Sequence, residues 1–177
     1  MSLQAGTHHI GPENGSLRIR TGREGAAAKA GHDLLLEATS WSGTVEIGDD
    51  PSVRLTVEPG SLDVLEGTGG VKALTDKDKA SIKEDITSKV LGSSQISFES
   101  TRVQVGDGAL SITGDLSIAG RSGSISAPLG VDADGAVSGS ITVSQSDFGI
   151  KQYKALMGAL KVADDVQVDV KAKLPTG

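Results

Sequence analysis

The segment Leu110-Ser111-Ile112-Thr113-Gly114-Asp115-Leu116-Ser117-Ile118 alternates apolar and polar side chains almost without interruption. Successive side chains of a β-strand point to opposite faces of the sheet, so this pattern predicts a strand with one apolar and one polar face. The same alternation recurs along most of the chain. A chain of many such strands must close on itself or stack as two sheets. The enclosed apolar side is therefore the place where a function is to be sought.

Composition limits the classes to which the protein can belong. The chain has 177 residues, 24 glycines, no cysteine and a net charge of -6. Its length predicts one domain over residues 1–177. A chain without cysteine can form neither a disulfide scaffold nor a thiolate site, and the adjacent His8 and His9 lack a third metal ligand nearby. The dispersed basic residues argue against nucleic-acid binding. We expect no cofactor and no metal.

The first thirteen residues show neither a basic region nor a continuous apolar run, so they do not resemble a secretory signal. No segment approaches the apolar length of a membrane span. The sequence therefore predicts a cytoplasmic protein without an integral membrane segment.

One long segment has a helical period. Ile82, Ile86 and Val90 are spaced four apart, and Thr75 with Asp78 has the spacing of a capping box. This predicts an amphipathic helix over about residues 75–90, and a second, short helix is expected near residues 153–158. The remaining segments predict roughly eight to ten antiparallel strands, as in a barrel or a sandwich, and a barrel of about eight strands can hold one small ligand. The run Leu34-Leu35-Leu36 predicts burial on both faces or a change of register.

Catalytic candidates are few. His32 and Asp33 are adjacent on a predicted strand and would face opposite ways, so they are not expected to pair. Lys151 with Tyr153 is the other candidate pair, and either pair would have to converge in one cleft. The chain lacks a Gly-x-Ser-x-Gly nucleophile elbow. We predict no catalytic residue.

Several segments together resemble the YceI-like family, which is also described as polyisoprenoid-binding. They are Gly31-His32-Asp33-Leu34 followed by Trp41, Ser61-Leu62-Asp63-Val64, Ile96-Ser97-Phe98-Glu99-Ser100, Gly114-Asp115-Leu116-Ser117-Ile118-Ala119-Gly120, Asp147-Phe148-Gly149-Ile150 and Asp165-Val166-Gln167-Val168. The resemblance implies an all-β, lipocalin-like antiparallel barrel whose apolar pore holds an isoprenoid-tailed molecule such as a quinone. It implies no established catalytic residues.

The leading hypothesis is binding, storage or transport of an amphiphilic lipid with an isoprenoid or fatty-acyl tail. The candidate lining consists of apolar residues from alternating strands and the helix stripe: Leu34, Leu36, Val45, Ile47, Leu55, Val57, Leu62, Ile86, Phe98, Ile112, Leu116, Ile141 and Phe148. A headgroup is expected near His32, Lys151 or Tyr153.

Two alternatives remain open at this stage. One is a structural or stress-related interaction domain in which the same residues fill the core, and the other is an enzyme that uses one of the candidate pairs. The chain has only four aromatic residues, fewer than the lining of a lipid carrier would be expected to use, so a filled core remains an alternative. A homodimer could form through an edge strand such as residues 124–131, although Pro128 disfavours such pairing.

Overall fold

Eleven β-strands form one antiparallel sheet in the computed structural model, which describes residues 2–177. The sheet curls around its apolar face into a half-barrel, and three short strands form a second, smaller sheet. The strands are β1 (Gly6–Ile10), β2 (Gly15–Arg20), β3 (Arg23–Glu24), β4 (Asp33–Ala38), β5 (Trp41–Ile47), β6 (Ser52–Val57), β7 (Leu62–Thr68), β8 (Ile96–Gly106), β9 (Ala109–Ile118), β10 (Arg121–Val131), β11 (Ala136–Ser144), β12 (Lys154–Ala155), β13 (Leu160–Val162) and β14 (Asp165–Lys173).

The strand order in the large sheet is β1-β5-β6-β8-β9-β10-β11-β14-β2-β4-β7, and in the small sheet β12-β13-β3. The prediction of an antiparallel all-β protein is confirmed. The predicted count of roughly eight to ten strands is too low, since residues 2–177 contain fourteen. Two features explain the difference. A bend at Thr39 and Ser40 separates β4 from β5, and strands β3 and β12 have only two residues each, which is too short to show alternation.

The alternating segment quoted above is β9, which lies between β8 and β10. Leu110 and Ile112 are buried on its inner face and lie opposite Leu129 and Ala127 of β10. Serine and threonine occupy its outer face, where the Thr113 and Ser126 hydroxyls are 3.1 Å apart. Alternate side chains of β9 therefore face the core and the solvent, as the sequence predicts.

The leucine run produces a change of register, which is one of the two outcomes predicted for it. The pairing of β4 with β7 shifts between Leu35 and Leu36, so that Leu35 lies opposite Glu66 and Leu36 opposite Val64. Leu65 is the extra residue of this bulge and is exposed. Leu36 is buried on the inner face.

The predicted helix forms as α1 (Asp76–Asp85), which continues as a π-helical segment, Ile86–Leu91. The Asp78 amide donates to Thr75 Oγ1 over 3.1 Å, and the Thr75 amide donates to Asp78 Oδ2 over 2.9 Å. These bonds confirm the capping box, and the bond from the Thr75 backbone lowers the pKa of Asp78. The helix packs against β7, an edge of the large sheet, where Lys79 Nζ donates to the Leu65 carbonyl. Within residues 2–177, every helix is too short or too polar to cross a membrane.

The predicted edge strand is β10. It pairs with β9 along nearly its whole length, but with β11 only at Gly130 and Val131. Pro128 lies in the part that pairs with β9 alone. A homodimer through this edge stays a prediction.

Candidate ligand cavity and its mouth

An apolar cavity of about 530 Å³ lies between the inner face of the large sheet and the helix. Such a volume falls in the range of small-molecule pockets, about 300–1,000 Å³. Its walls come from the inward members of the alternating strands and from the helical residues Ile82, Ile86, Val90 and Leu91. The apolar interior is therefore lined rather than filled.

Most residues predicted to line a pocket do line this cavity. They are Leu34, Leu36, Val45, Leu55, Val57, Leu62, Ile86, Phe98, Ile112, Leu116, Ile141 and Tyr153. Their contact with a ligand stays a prediction.

Two predicted lining residues pack beside the cavity instead. Ile47 ends β5 opposite Gly6, and it packs against the edge of the main core. Phe148 is buried with Val143 and Ile150 in a second cluster. Strand alternation predicts the face on which Ile47 lies but not whether it borders empty space, whereas Phe148 lies outside the strands, in the 3₁₀ turn Gln145–Phe148 that follows β11.

The two phenylalanines each cover a glycine of the sheet. A Cβ on Gly123 would lie 3.2 Å from two ring atoms of Phe148, and a Cβ on Gly114 would lie 2.6 Å from Phe98 Cζ. Neither glycine can therefore accept a side chain without displacement of the ring. Two of the four aromatic side chains thus cover bare backbone at glycines of the sheet.

Basic side chains gather at one opening of the cavity, here called the mouth. Arg23, His32 and Lys161 border it. The pairing of β3 with β13 places Arg23 opposite Val162 and so brings distant parts of the chain together. A smaller recess of about 310 Å³ adjoins the mouth and shares His32 with it.

The groups at the mouth are held by specific contacts. Arg23 Nε lies 3.4 Å from Asp33 Oδ1, and the guanidinium also donates to the Gly31 carbonyl. His32 Nε2 lies 2.6 Å from the Lys72 carbonyl oxygen. His32 and Asp33 thus have separate partners, and neither forms the arrangement expected of a catalytic pair.

A hydrogen-bonded chain crosses the mouth from the small sheet to the helix. The Tyr153 hydroxyl donates to Asp85 Oδ2 over 2.9 Å, and Lys89 Nζ lies 2.9 Å from Asp85 Oδ1. The bonds from Lys89 and Tyr153 lower the pKa of Asp85, and the bond to Asp85 raises the pKa of Tyr153. We call the Tyr153–Asp85–Lys89 chain the latch.

Lys151, a headgroup candidate, is exposed and lies outside the cavity wall, so its contact with a headgroup stays a prediction. A second prediction near the mouth is wrong. The short helix expected near residues 153–158 is instead strand β12 and a tight turn, Leu156–Gly158. Leu156 and Met157 have φ of 50° and 56°, which an α-helix does not accommodate.

Sequence reasoning missed several residues of the site. Leu17, Ile19 and Ile125 line the cavity and follow the same alternation as the predicted residues, so that signal could have found them. Arg23 and Lys161 border the mouth only because β3 pairs with β13. No local pattern marks either of them.

The latch leads to a prediction for Tyr153→Phe. Loss of the hydroxyl should lower Tm by about 2–4 °C at neutral pH and speed the release of a bound ligand, because the small sheet is no longer tied to the helix. Scanning calorimetry and stopped-flow release measure these effects. An unchanged Tm and release rate would show that the latch is not formed.

The pH dependence of this difference follows from the pKa shifts. The lowered pKa of Asp85 gives stability above its unfolded pKa, near 4, that is lost as the pH falls through the folded value. The raised pKa of Tyr153 gives stability below its unfolded pKa, near 10, that is lost as the pH rises through the folded value. The difference in Tm between wild type and Tyr153→Phe should therefore be constant between about pH 5 and 9 and should become smaller outside this range.

A curled antiparallel sheet around an apolar cavity with polar groups at its mouth defines a lipocalin-like class of protein. The sequence pattern of the YceI-like domain matches residues 21–174, and the chain belongs to the YceI-like family. No curated protein matches the chain.

Solved structures show the same fold. The crystal structure of BcnA from Burkholderia cenocepacia has a TM-score of 0.61 at 16% identity, covering 88% of this chain and 94% of that one. The Campylobacter jejuni YceI protein, crystallised with large solvent channels for nanotechnology applications, has a TM-score of 0.53 at 13% identity. That match covers 78% of this chain and 82% of the other. At these identities the likeness concerns the fold.

Proposed function

We propose that the protein binds, stores or carries one amphiphilic lipid, with the apolar tail in the cavity and the polar headgroup at the mouth. The observation that carries this proposal is the separation of surfaces, because the cavity wall is almost wholly apolar whereas Arg23, His32 and Lys161 gather at one opening. Each methylene transferred from water to such a wall is worth about 0.8 kcal/mol, so a long tail supplies most of the affinity. The role is non-enzymatic.

The mouth favours a headgroup that accepts hydrogen bonds. The guanidinium of Arg23 and the ammonium of Lys161 are donors without acceptor capacity, and the His32 ring adds a further polar atom. A quinone presents carbonyl oxygens, and a fatty acid presents a carboxylate. An isoprenoid quinone or a fatty-acyl compound therefore fits both the wall and the mouth.

The alternative of a filled structural domain has less support, because the cavity of about 530 Å³ leaves room for a tail. The cytoplasmic location stays a prediction, and fractionation of cells with an antibody against the protein tests it.

The proposal is tested by titration of the purified protein with fatty acids and prenylated quinones of increasing tail length. We expect affinity to rise with each added methylene or prenyl unit until the cavity is full and then to level off. Saturating ligand should also raise Tm, since a free ligand concentration of about a hundred times Kd stabilises the folded state by about 2.7 kcal/mol. Affinity that is absent, or independent of tail length, would contradict the proposal.

The headgroup assignment leads to a prediction for Lys161→Met, which keeps the length of the side chain and removes its charge. Affinity for a fatty acid should fall about tenfold, whereas affinity for the fatty alcohol of the same length should change little. Lys151→Met is the matched control, since Lys151 is exposed outside the cavity wall. An equal effect of the two substitutions would refute a headgroup contact at Lys161.

A further inference from the structure

We infer that the mouth docks on the surface of an anionic lipid bilayer through two exposed apolar loop tips set among lysines. The first tip is Leu156-Met157, in the turn between β12 and β13, and the second is Val71, in the loop after β7. The inference rests on the proposed function for its purpose, the exchange of a lipid between membrane and cavity. The contact itself is argued from the surface around the mouth.

The apolar tips are unusually exposed. Met157 is fully exposed, Val71 is 82% exposed and Leu156 is 59% exposed. None of the three lines the cavity. Large apolar side chains held in water around an opening are typical of an interaction surface.

The backbone at the first tip is strained in a way that keeps these side chains outward. Leu156, Met157 and Gly158 have φ of 50°, 56° and 87°. The left-handed region is easy for glycine and tolerated by asparagine, but leucine and methionine rarely adopt it. Two large apolar residues therefore occupy a turn where local stability favours small or polar ones, as is found at functional sites.

Both tips are attached to the same part of the mouth. The Ala27 amide donates to the Ala159 carbonyl over 2.8 Å, and Leu160 packs on Gly31, which anchors the first tip to residues 25–32. The second tip rests on the same segment, because Gly70 lies against the ring of His32. Both tips therefore lie beside the mouth of the cavity.

Lysines are concentrated in the segments beside the two tips. Residues 25–32, 67–75 and 149–163 contain five lysines and no acidic residue, although the chain carries a net charge of -6. The carboxylates that adjoin these segments at the mouth have partners, since Asp33 lies 3.4 Å from Arg23 Nε, Asp85 belongs to the latch, and Glu24 accepts from Gln152 Nε2. The lysines are Lys29, Lys72, Lys151, Lys154 and Lys161. All but Lys161 are exposed. Lysines beside exposed apolar side chains suit a bilayer that contains anionic lipids, because the ammonium groups meet the headgroups while the tips enter the interface.

The absence of cysteine permits a direct test with single cysteines. Met157→Cys carries an environment-sensitive fluorophore at the first tip. Val105→Cys carries the same fluorophore at the opposite end of the sheet, since Val105 pairs with Leu110 near the β8–β9 turn and is also exposed. With vesicles of equimolar phosphatidylglycerol and phosphatidylcholine, we expect a blue shift at position 157 and none at 105. With phosphatidylcholine alone, we expect a much smaller shift at 157.

Co-sedimentation with the same vesicles tests the contributions of the tip and the lysines. Leu156→Asn with Met157→Asn keeps a residue suited to the left-handed turn and should weaken vesicle binding at least about tenfold. Lys29→Gln with Lys154→Gln should weaken it about fivefold for each lysine, and the effect should fade in high salt. The matched controls, Val105→Asn and Lys171→Gln with Lys173→Gln, should leave binding unchanged.

Failure of docking can be told apart from failure of the proposed function. Binding of cis-parinaric acid from solution, without vesicles, reports on the cavity alone and should survive the Leu156→Asn and Met157→Asn substitutions. Vesicle binding that is absent in the wild type, equal with and without phosphatidylglycerol, or insensitive to these substitutions would overturn the inference. A wild type that binds vesicles but not cis-parinaric acid or quinones would sustain docking and reject the cavity proposal.

Discussion

Ala127→Trp is expected to abolish lipid binding while the protein remains folded. Ala127 lies on β10, faces the cavity and is paired with Ile112. An indole at this position enters the cavity that Ala127 borders and takes up part of its volume. If it displaces four methylenes of the tail, each worth about 0.8 kcal/mol, affinity falls by roughly a hundredfold or more. Titration with a fatty acid and circular dichroism check the two parts of this prediction.

The matched control for this prediction is Ser124→Trp. Ser124 is exposed and belongs to the same strand, three residues away and on the outer face. Its substitution adds the same indole without reducing the cavity, so affinity should stay within about twofold of wild type. Equal loss in both variants would point to damage of the strand. Full affinity in Ala127→Trp would show that the tail does not occupy this cavity.

Phe148→Ala is expected to produce the largest loss of stability. Phe148 is 3% exposed, covers Gly123 and packs with Val143 and Ile150. Removal of such a ring from a packed cluster costs about 3–5 kcal/mol, which corresponds to a fall in Tm of about 6–20 °C for a chain of this size. Thermal and urea unfolding measure this loss.

Phe98→Ala provides the comparison. Phe98 covers Gly114 in a similar way, but it is only half-buried and lines the cavity. Its removal should cost less stability than the removal of Phe148, and it should weaken ligand binding more. If Phe148→Ala instead binds ligand more weakly than Phe98→Ala and is the more stable of the two variants, Phe148 borders the ligand.

The elements that sequence predicted well are those with local signals. The alternation over Leu110 to Ile118 requires only neighbouring residues, and so do the helical spacing of Ile82 and Ile86 and the capping box at Thr75. The leucine run at 34–36 predicted burial on both faces or a change of register, because three consecutive apolar residues cannot all face one side of a regular strand, and the structure shows the change of register.

The parts that sequence could not predict depend on distant contacts or on backbone strain. Arg23 and Lys161 both border the cavity only because β3 and β13 pair across most of the chain length. The spacing of Tyr153, Leu156 and Met157 suits a helix, yet the positive φ values of Leu156 and Met157 exclude one. Phe148 and Ile47 face the interior side, but only the packed structure shows that they do not border the cavity.

Native mass spectrometry of the protein isolated from its own host, followed by extraction and identification of bound lipids, tests the central claim most directly. The cavity and its mouth predict one copy of an amphiphile per chain, with an isoprenoid or acyl tail and a headgroup that accepts hydrogen bonds. Ala127→Trp isolated in the same way should be empty. Repeated recovery of an empty wild-type protein that also fails to bind quinones and fatty acids in solution would contradict the claim.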